Sequence, residues 1–115
     1  MTSNLIGSPP ADGAPEARIT VGDLIVDRER FRVTVADEPA PLTYMEFETL
    51  YVIAGGGGRV VGYDQIAEAL WGAAEDDHRA RLAVLVSRIR SKIGPAARYL
   101  QTVRQVGYRL TLAPA

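Results

Sequence analysis

The segment 79–93 carries the clearest periodicity of the chain, and it constrains the fold more than any other feature. Its apolar residues recur at i, i+4, i+7 and i+11, which is the spacing of one stripe along an α-helix: Leu82, Val86, Ile89 and Ile93. Gly94 and Pro95 follow and end the helix. The sequence therefore predicts a helix over 79–93 whose stripe packs on a core that the rest of the chain supplies.

Short β-type runs precede this helix near the start of the chain. The segment 1–17 is rich in proline, glycine and small residues, which is typical of a disordered tail or linker, so we expect the folded domain at 18–113. Turn residues separate four candidate strands: Ile19–Val21, Leu24–Asp27, Phe31–Val35 and Ala40–Leu42. They predict an N-terminal antiparallel sheet whose last strand lies at an edge that tolerates proline.

Two further helices are predicted between the sheet and the segment 79–93. Thr43 and Glu46 have the spacing of a capping box, and the buried face continues with Phe47, Leu50, Tyr51 and Ala54. The run Gly55–Gly58 is interpreted as a C-cap and turn, because no Lys-Ser/Thr pair follows it as in a phosphate-binding loop. After a strand stub at 59–61, Gly62 or Asp64 caps a second helix that Gly72 ends.

A β-hairpin is predicted at the C-terminal end. Its strands cover 98–103 and 107–112, with a turn at 104–106. The predicted fold class is α+β, with an N-terminal sheet, three helices and a C-terminal hairpin.

Charge is divided sharply along the chain. All fourteen acidic residues and five arginines precede position 78, whereas the rest of the chain carries eight cations and no acid. A one-signed region of this kind attracts a polyanion although the net charge is only −1. Scattered solvated arginines are the alternative interpretation.

The helix and the hairpin supply the candidate contacts to nucleic acid. Arg81, Leu85, Arg88 and Lys92 are expected along the outer side of the helix, where arginines suit the base edges of a major groove. An amphipathic helix with a solvated face is equally consistent with this spacing. Arg104 at the hairpin tip favours DNA, because a guanidinium there can enter a minor groove beside the helix.

The chain resembles the OmpR/PhoB-type winged-helix effector domain of bacterial response regulators, which act in two-component systems. The stretches that carry the resemblance are Leu42–Leu50, Arg59–Val61, Ala69–Gly72, Val86–Gly94 and Arg98–Leu110. The resemblance implies a winged helix-turn-helix with a four-stranded N-terminal sheet. It also implies double-stranded DNA as a partner, tandem head-to-tail protomers on direct repeats, and a loop that touches RNA polymerase.

The helix itself, which supplies Arg79, Arg81 and Lys92, and the resemblance, which supplies the other residues, together imply three groups of contacts. Base-reading residues would be Arg88, Arg81 and Arg104, and residues at the DNA backbone would be Trp71, Arg79, Arg90, Lys92, Thr102, Gly107 and Tyr108. The polymerase-facing loop would be Ala73, Ala74, Glu75, Asp76 and Asp77. For Trp71, packing in the core is an equal alternative.

The chain departs from the family pattern at Ala80, Ala83, Leu85 and Ser87. Leu85 could touch thymine methyl groups or a protein. Gln105 occupies a wing-turn position that is usually glycine, where a positive φ is expected. These departures predict an unusual site preference, and they motivate a second hypothesis, a winged-helix module that mainly binds RNA polymerase or another regulator and binds DNA weakly.

Other classes of function are disfavoured. The chain has no cysteine and one histidine, His78, which is expected in a solvated loop, so we expect no metal site, cofactor or catalytic residue. No apolar run reaches the roughly 20 residues of a membrane span, and no signal peptide is recognised. A cytoplasmic protein without a membrane partner is expected. Nothing in the sequence corresponds to a phosphoacceptor domain, so an excised effector domain and a stand-alone regulator both stay open.

Overall fold

A computed structural model describes residues 17–74 and 76–112. Within these ranges lie seven strands, three α-helices and one 3₁₀ helix. In chain order they are β1 (Arg18–Val21), β2 (Leu24–Asp27), β3 (Arg32–Val35), β4 (Glu38–Ala40), α1 (Tyr44–Ala54), β5 (Val61–Gly62), α2 (Tyr63–Trp71), α3 (His78–Ile93), the 3₁₀ helix (Gly94–Tyr99), β6 (Leu100–Val103) and β7 (Gly107–Leu110). Most of the predicted tail, residues 1–16, and residue 113 of the predicted domain lie outside the described residues.

The N-terminal sheet has four antiparallel strands in the order β1-β2-β3-β4, as predicted. The last strand is displaced from its predicted position at 40–42. Ala36 and Asp37 both adopt positive φ, 50° and 71°, and form the two-residue turn of a hairpin, so β4 begins directly after them at Glu38. Pro39 lies on this edge strand, where its missing N–H is not required.

Helix α1 begins at the predicted capping box. The Glu46 amide donates to Thr43 Oγ1 at 3.2 Å, and the Thr43 amide donates to Glu46 Oε1 at 2.9 Å. The expected apolar face is buried, and the chain turns away at the glycine run after Ala54. Both interpretations made from the sequence are confirmed.

Helices α2 and α3 follow with small adjustments. The N-cap of α2 is Gly62 rather than Asp64, and the Gly62 amide donates to the Gln65 side chain at 2.9 Å. Helix α3 begins at His78, and its predicted stripe is at most 1% exposed. The stripe packs against α1 and α2 in a core that also receives β2, β3 and β7.

The C-terminal hairpin forms a second sheet with β5, in the order β5-β7-β6. Its first strand begins at Leu100 instead of Arg98, because Pro95 at the start of the 3₁₀ helix favours a helical turn there. Gly107 is opposite Gly62 on β5, and a Cβ at Gly107 would overlap the Val61 carbonyl oxygen. Close packing of two backbones therefore requires glycine at this position.

Candidate nucleic-acid interface

The exposed face of α3 differs from the face expected from the sequence. The line directly opposite the buried stripe consists of Ala80, Val84, Ser87 and Ser91, all exposed. The predicted outer line, one residue before each stripe member, lies only about 100° around the helix from the stripe and thus on its flank. Consequently Leu85 is half-buried and packs on the core. Arg81 and Arg88 are exposed beside the line formed by Ala80, Val84, Ser87 and Ser91.

Arg81 is held by an aromatic ring of the preceding helix. Its guanidinium carbon lies 4.0 Å from the ring centroid of Trp71. Trp71 is half-buried and also packs against the core, so packing and a surface role coexist in this residue. Together with Met45, Val84, Leu85 and Arg88, these two side chains line a shallow groove along one flank of α3.

The start of α3 is fixed to the start of α2. The Arg79 guanidinium lies 4.5 Å from the Tyr63 ring centroid, and His78 Nε2 lies 2.8 Å from Asp64 Oδ1. The His78 side chain is only 13% exposed, which corrects the expectation of a solvated loop residue. These contacts orient the cationic end of α3 relative to α2.

Lys92 is ion-paired rather than open on the helix surface. Its Nζ lies 2.7 Å from Glu46 Oε1, and Glu46 is buried. Burial alone would raise the pKa of the Glu46 carboxyl, but the Lys92 ammonium and the Thr43 amide outweigh it and hold the pKa below its ordinary value. The pair ties the last turn of α3 to the first turn of α1. The predicted contact of Lys92 with the DNA backbone stays a prediction.

Arg90 joins α3 to the hairpin. Its guanidinium donates to the Leu100 carbonyl oxygen from Nε at 3.0 Å and from Nη2 at 2.7 Å, and Nη2 also reaches Thr102 Oγ1 at 2.9 Å. The bonds lie on the outer edge of β6, where the carbonyl of Leu100 is free to accept them. Arg90 thus holds α3 against the wing, which is the hairpin of β6 and β7. Its predicted contact with phosphate stays a prediction.

The wing tip is exposed and carries one cation. Arg104, Gln105 and Val106 are exposed, as is Thr102 on β6. Gln105 adopts φ +67°, which confirms the positive φ expected at this position. The Tyr63 amide donates to the Val106 carbonyl at 3.1 Å, so the tip is anchored to α2.

Gly107 and Tyr108 lie below the surface of the wing. Both are buried, and the Tyr108 ring meets the Tyr63 ring edge-on at 5.7 Å between centroids. Burial, together with Tyr63, raises the pKa of the Tyr108 phenol, so the group stays neutral. Packing is the role that the structure gives to these two residues, and their contact with DNA stays a prediction.

The loop between α2 and α3 is exposed at Ala73, Ala74, Asp76 and Asp77, while Glu75 lies outside the described residues.

Throughout 17–74 and 76–112, no set of three or more acidic or histidine side chains could hold a metal ion. In the same part of the chain, no helix has the length and apolarity to cross a bilayer.

The chain matches a family of known proteins. Residues 37–110 match the family described as "Transcriptional regulatory protein, C terminal". The chain belongs to this family. The match covers all three helices and the wing, so the OmpR/PhoB-type resemblance and the winged-helix fold are confirmed for this regulatory domain.

Curated relatives of this regulatory domain are longer than the chain. It is 38% identical over 101 residues to the sensory transduction protein RegX3 of Mycolicibacterium smegmatis, covering 85% of the chain and 44% of the relative. It is 30% identical over 92 residues to the response regulator ArlR of Staphylococcus epidermidis, covering 78% of the chain and 42% of the relative. The chain therefore spans less than half of each of these relatives.

Solved structures share the fold. The Klebsiella pneumoniae RstA DNA-binding domain in complex with RstA box is 26% identical with a TM-score of 0.73, over 84% of this chain and 98% of that one. The response regulator DrrB of Thermotoga maritima, an OmpR/PhoB homologue, is 29% identical with a TM-score of 0.71, over 84% of this chain and 45% of that one.

Two features of the regulatory domain were missed from the sequence. Val84 was not singled out, although its position two residues after Leu82 places it about 200° from the buried stripe. Tyr63 was also overlooked, although it contacts Arg79, Tyr108 and the backbone of the wing. The signal for Tyr63 is its place directly after the N-cap Gly62, but its partners are distant in sequence.

Proposed function

We propose that this domain binds double-stranded DNA in a sequence-specific manner and regulates transcription, with α3 in the major groove and the wing in the adjacent minor groove. The observation that carries the proposal is that three exposed arginines lie on two elements that Arg90 connects. Exposed Arg81 and Arg88 on α3 and Arg104 on the wing are held in fixed relation by the bonds of Arg90 to β6. A 16-residue helix is about 24 Å long and fits a groove about 12 Å wide.

In this arrangement Arg88, Arg81 and Arg104 contact base edges. On α3, Arg88 is more available to a base edge than Arg81, because the guanidinium of Arg81 is stacked on Trp71. The proposed contacts with the DNA backbone come from Trp71, Arg79, Arg90, Lys92, Thr102, Gly107 and Tyr108. Among these, Arg79 and Thr102 are the most exposed, and Arg90 and Lys92 would reach phosphate only by extending or sharing their present bonds.

Two finer features rest on the family resemblance alone. As part of a response regulator of a two-component system, the domain would bind direct repeats as tandem protomers, and the loop 73–77 would contact RNA polymerase. Exposure of Asp76 and Asp77 supports a contact made by that loop. Sedimentation velocity on duplexes with one and with two half-sites tests the tandem arrangement.

In vitro selection of duplex sites, followed by electrophoretic mobility shifts, tests the proposed function. Arg88→Ala should relax the preference at one base pair by about 1–3 kcal/mol, which is the discrimination of one bidentate arginine. Arg90→Ala should weaken all sequences alike. Arg98→Ala is the matched control, because this exposed arginine stacks on Tyr99 outside α3 and the wing. Unchanged base preference in Arg88→Ala would remove the assigned role of Arg88.

A winged-helix module that mainly binds protein is the second candidate. The shallow groove formed by Trp71, Val84 and Leu85 favours it, because these apolar side chains meet at the surface. An NMR chemical-shift map with duplex DNA at low salt separates the two functions. If the signals of residues 79–109 do not move, protein binding is favoured.

A further inference from the structure

Tyr63 lies where three elements meet. It is the first residue of α2, directly after the N-cap Gly62, and it is half-buried. Its ring meets the Tyr108 ring of β7 edge-on at 5.7 Å between centroids, and the guanidinium carbon of Arg79 lies 4.5 Å from the Tyr63 centroid. Its amide donates to the Val106 carbonyl oxygen in the wing turn at 3.1 Å. One aromatic residue therefore connects the first turn of α3 with the wing.

We propose that Tyr63 is a positioning residue, whose ring holds the wing in the place where it binds DNA together with α3. This inference rests on the proposed function and deepens it, because it concerns how the two DNA-contacting elements are coupled. Ordering the wing at the moment of binding would cost free energy, so a wing that is already ordered in the free domain binds more tightly. Tyr63 supplies part of that order.

The two ends of α3 are connected to different strands of the wing. Arg90, near the end of the helix, bonds to Leu100 and Thr102 on β6. Arg79, in the first turn, is joined to β7 through the ring of Tyr63. The wing is thus held from both ends of the helix, and Tyr63 provides the contact at the end where α3 begins.

The Tyr63 ring, rather than its backbone, carries this coupling. β5 pairs with β7 along two residues, and an amide at position 63 can donate to the wing turn whatever the side chain is, unless it is proline. A cation over an aromatic face and two rings set edge to face are attractive contacts that alanine cannot make. Tyr63→Ala therefore removes the link and keeps the strand pairing, whereas Tyr63→Phe keeps both ring contacts.

A double-mutant cycle between Tyr63 and the wing tip tests the proposal. Affinity for the selected duplex is measured by fluorescence anisotropy for the native domain, Tyr63→Ala, Arg104→Ala and the double variant. Arg104 is exposed at the wing tip, and Arg104→Ala should weaken binding by the native domain about tenfold, as expected for one arginine at a base edge. In Tyr63→Ala the same change should weaken binding by less than about threefold, because a wing that is no longer positioned contributes less to affinity.

Tyr44→Ala is the matched control, since Tyr44 is also the first residue of its helix but its ring contacts Phe31 beside the N-terminal sheet. The full effect of Arg104→Ala should remain in Tyr44→Ala and in Tyr63→Phe. A variant that is merely less stable would lose part of its active fraction and still show the full effect of Arg104→Ala, so the cycle separates positioning from loss of folded protein.

The outcomes distinguish this inference from the proposed function. Equal effects of Arg104→Ala in the native domain and in Tyr63→Ala would overturn the inference and leave the proposed function standing. A reduced effect in Tyr63→Phe would also overturn it, because phenylalanine keeps the ring contacts. Failure to select any duplex at low salt would instead overturn the proposed function, and the inference with it.

Discussion

Gln105 bears the conformational cost of the wing turn. Its φ of +67° lies in the left-handed region, which costs a non-glycine residue about 1–2 kcal/mol. The side chain is exposed, and the flanking strands fix the turn by the pairing of Val103 with Gly107. Sheet pairing therefore imposes a conformation that the local sequence disfavours.

Replacing Gln105 with glycine should stabilise the domain. Glycine removes the left-handed penalty but loses about 0.5–1 kcal/mol of backbone entropy, which leaves a net gain of up to about 1.5 kcal/mol. The measurement is the urea midpoint at an unchanged m-value. Val106→Gly is the control, because φ of Val106 is not positive. It should lower the midpoint, and a rise in both variants would contradict the argument.

At the scale of elements, Glu46 connects the start of α1 to the end of α3. One carboxylate oxygen accepts from the Thr43 amide at 2.9 Å and from Lys92 Nζ at 2.7 Å. The capping box would exist without Lys92, but the ion pair adds a link between residues distant in sequence. The orientation of α3 therefore depends on a buried charge.

Acid should weaken this link. The pKa of Glu46 is lowered in the folded domain, so its contribution to stability is complete above the ordinary value of 4.5 and is lost as the pH falls through the lower, folded value. Glu46→Gln should flatten this acid limb in urea unfolding, because glutamine keeps the cap acceptor and removes the charge. At neutral pH the variant should be about 1–3 kcal/mol less stable, below the 3–5 of a wholly buried pair because the Lys92 side chain is 31% exposed.

Asp27 provides the control for this experiment. It is buried, which would raise its pKa, but bonds from Arg30 and the charge of Arg18 lower it. Part of the acid sensitivity should thus remain in Glu46→Gln and disappear only when Asp27→Asn is added. An unaltered acid limb in Glu46→Gln would mean that the ion pair does not couple α1 to α3.

Local patterns predicted most elements of the fold. The capping box at Thr43 and the stripe of α3 are encoded within single turns of helix, so they could be found without tertiary information. The 3₁₀ helix and the early turn at Ala36 were missed, because each is decided by pairing and packing rather than by a strong local signal. Element type was therefore more predictable than element boundary.

The site was predicted less completely than the fold. Exposure of Arg81, Arg88 and Arg104 follows from helical spacing and from the hairpin tip. The pairing of Lys92 with Glu46 joins residues 46 positions apart, and no spacing rule connects them. A helical wheel centred on the buried stripe would have identified Val84, because direction around a helix depends only on residue number.

At the scale of the whole molecule, charge separation survives folding. The acid-free segment after position 77 supplies α3, the wing and all their arginines. Glu46 is an acid that reaches this region, and Lys92 pairs with it. Excess positive charge therefore remains at the end of the molecule that carries the proposed DNA contacts.

The salt dependence of DNA affinity should reveal which cationic side chains contact phosphates. Each phosphate contact contributes about −0.9 to the slope of log affinity against log salt. Arg79→Gln should reduce the magnitude of that slope by about 0.9, because Arg79 is exposed at the start of α3 and held by Tyr63. Fluorescence anisotropy with the selected duplex at a series of salt concentrations gives the slope.

Arg32→Gln separates local contact from net charge in this experiment. Arg32 is exposed on β3 of the other sheet, and its replacement changes the net charge by the same amount as Arg79→Gln. If DNA lies along α3 and the wing, the slope of Arg32→Gln should equal that of the native domain. Equal reductions in both variants would show that overall charge governs binding, and a reduction confined to Arg32→Gln would place DNA on the N-terminal sheet. Because the two variants carry the same charge, a difference between their slopes can arise only from where each arginine lies.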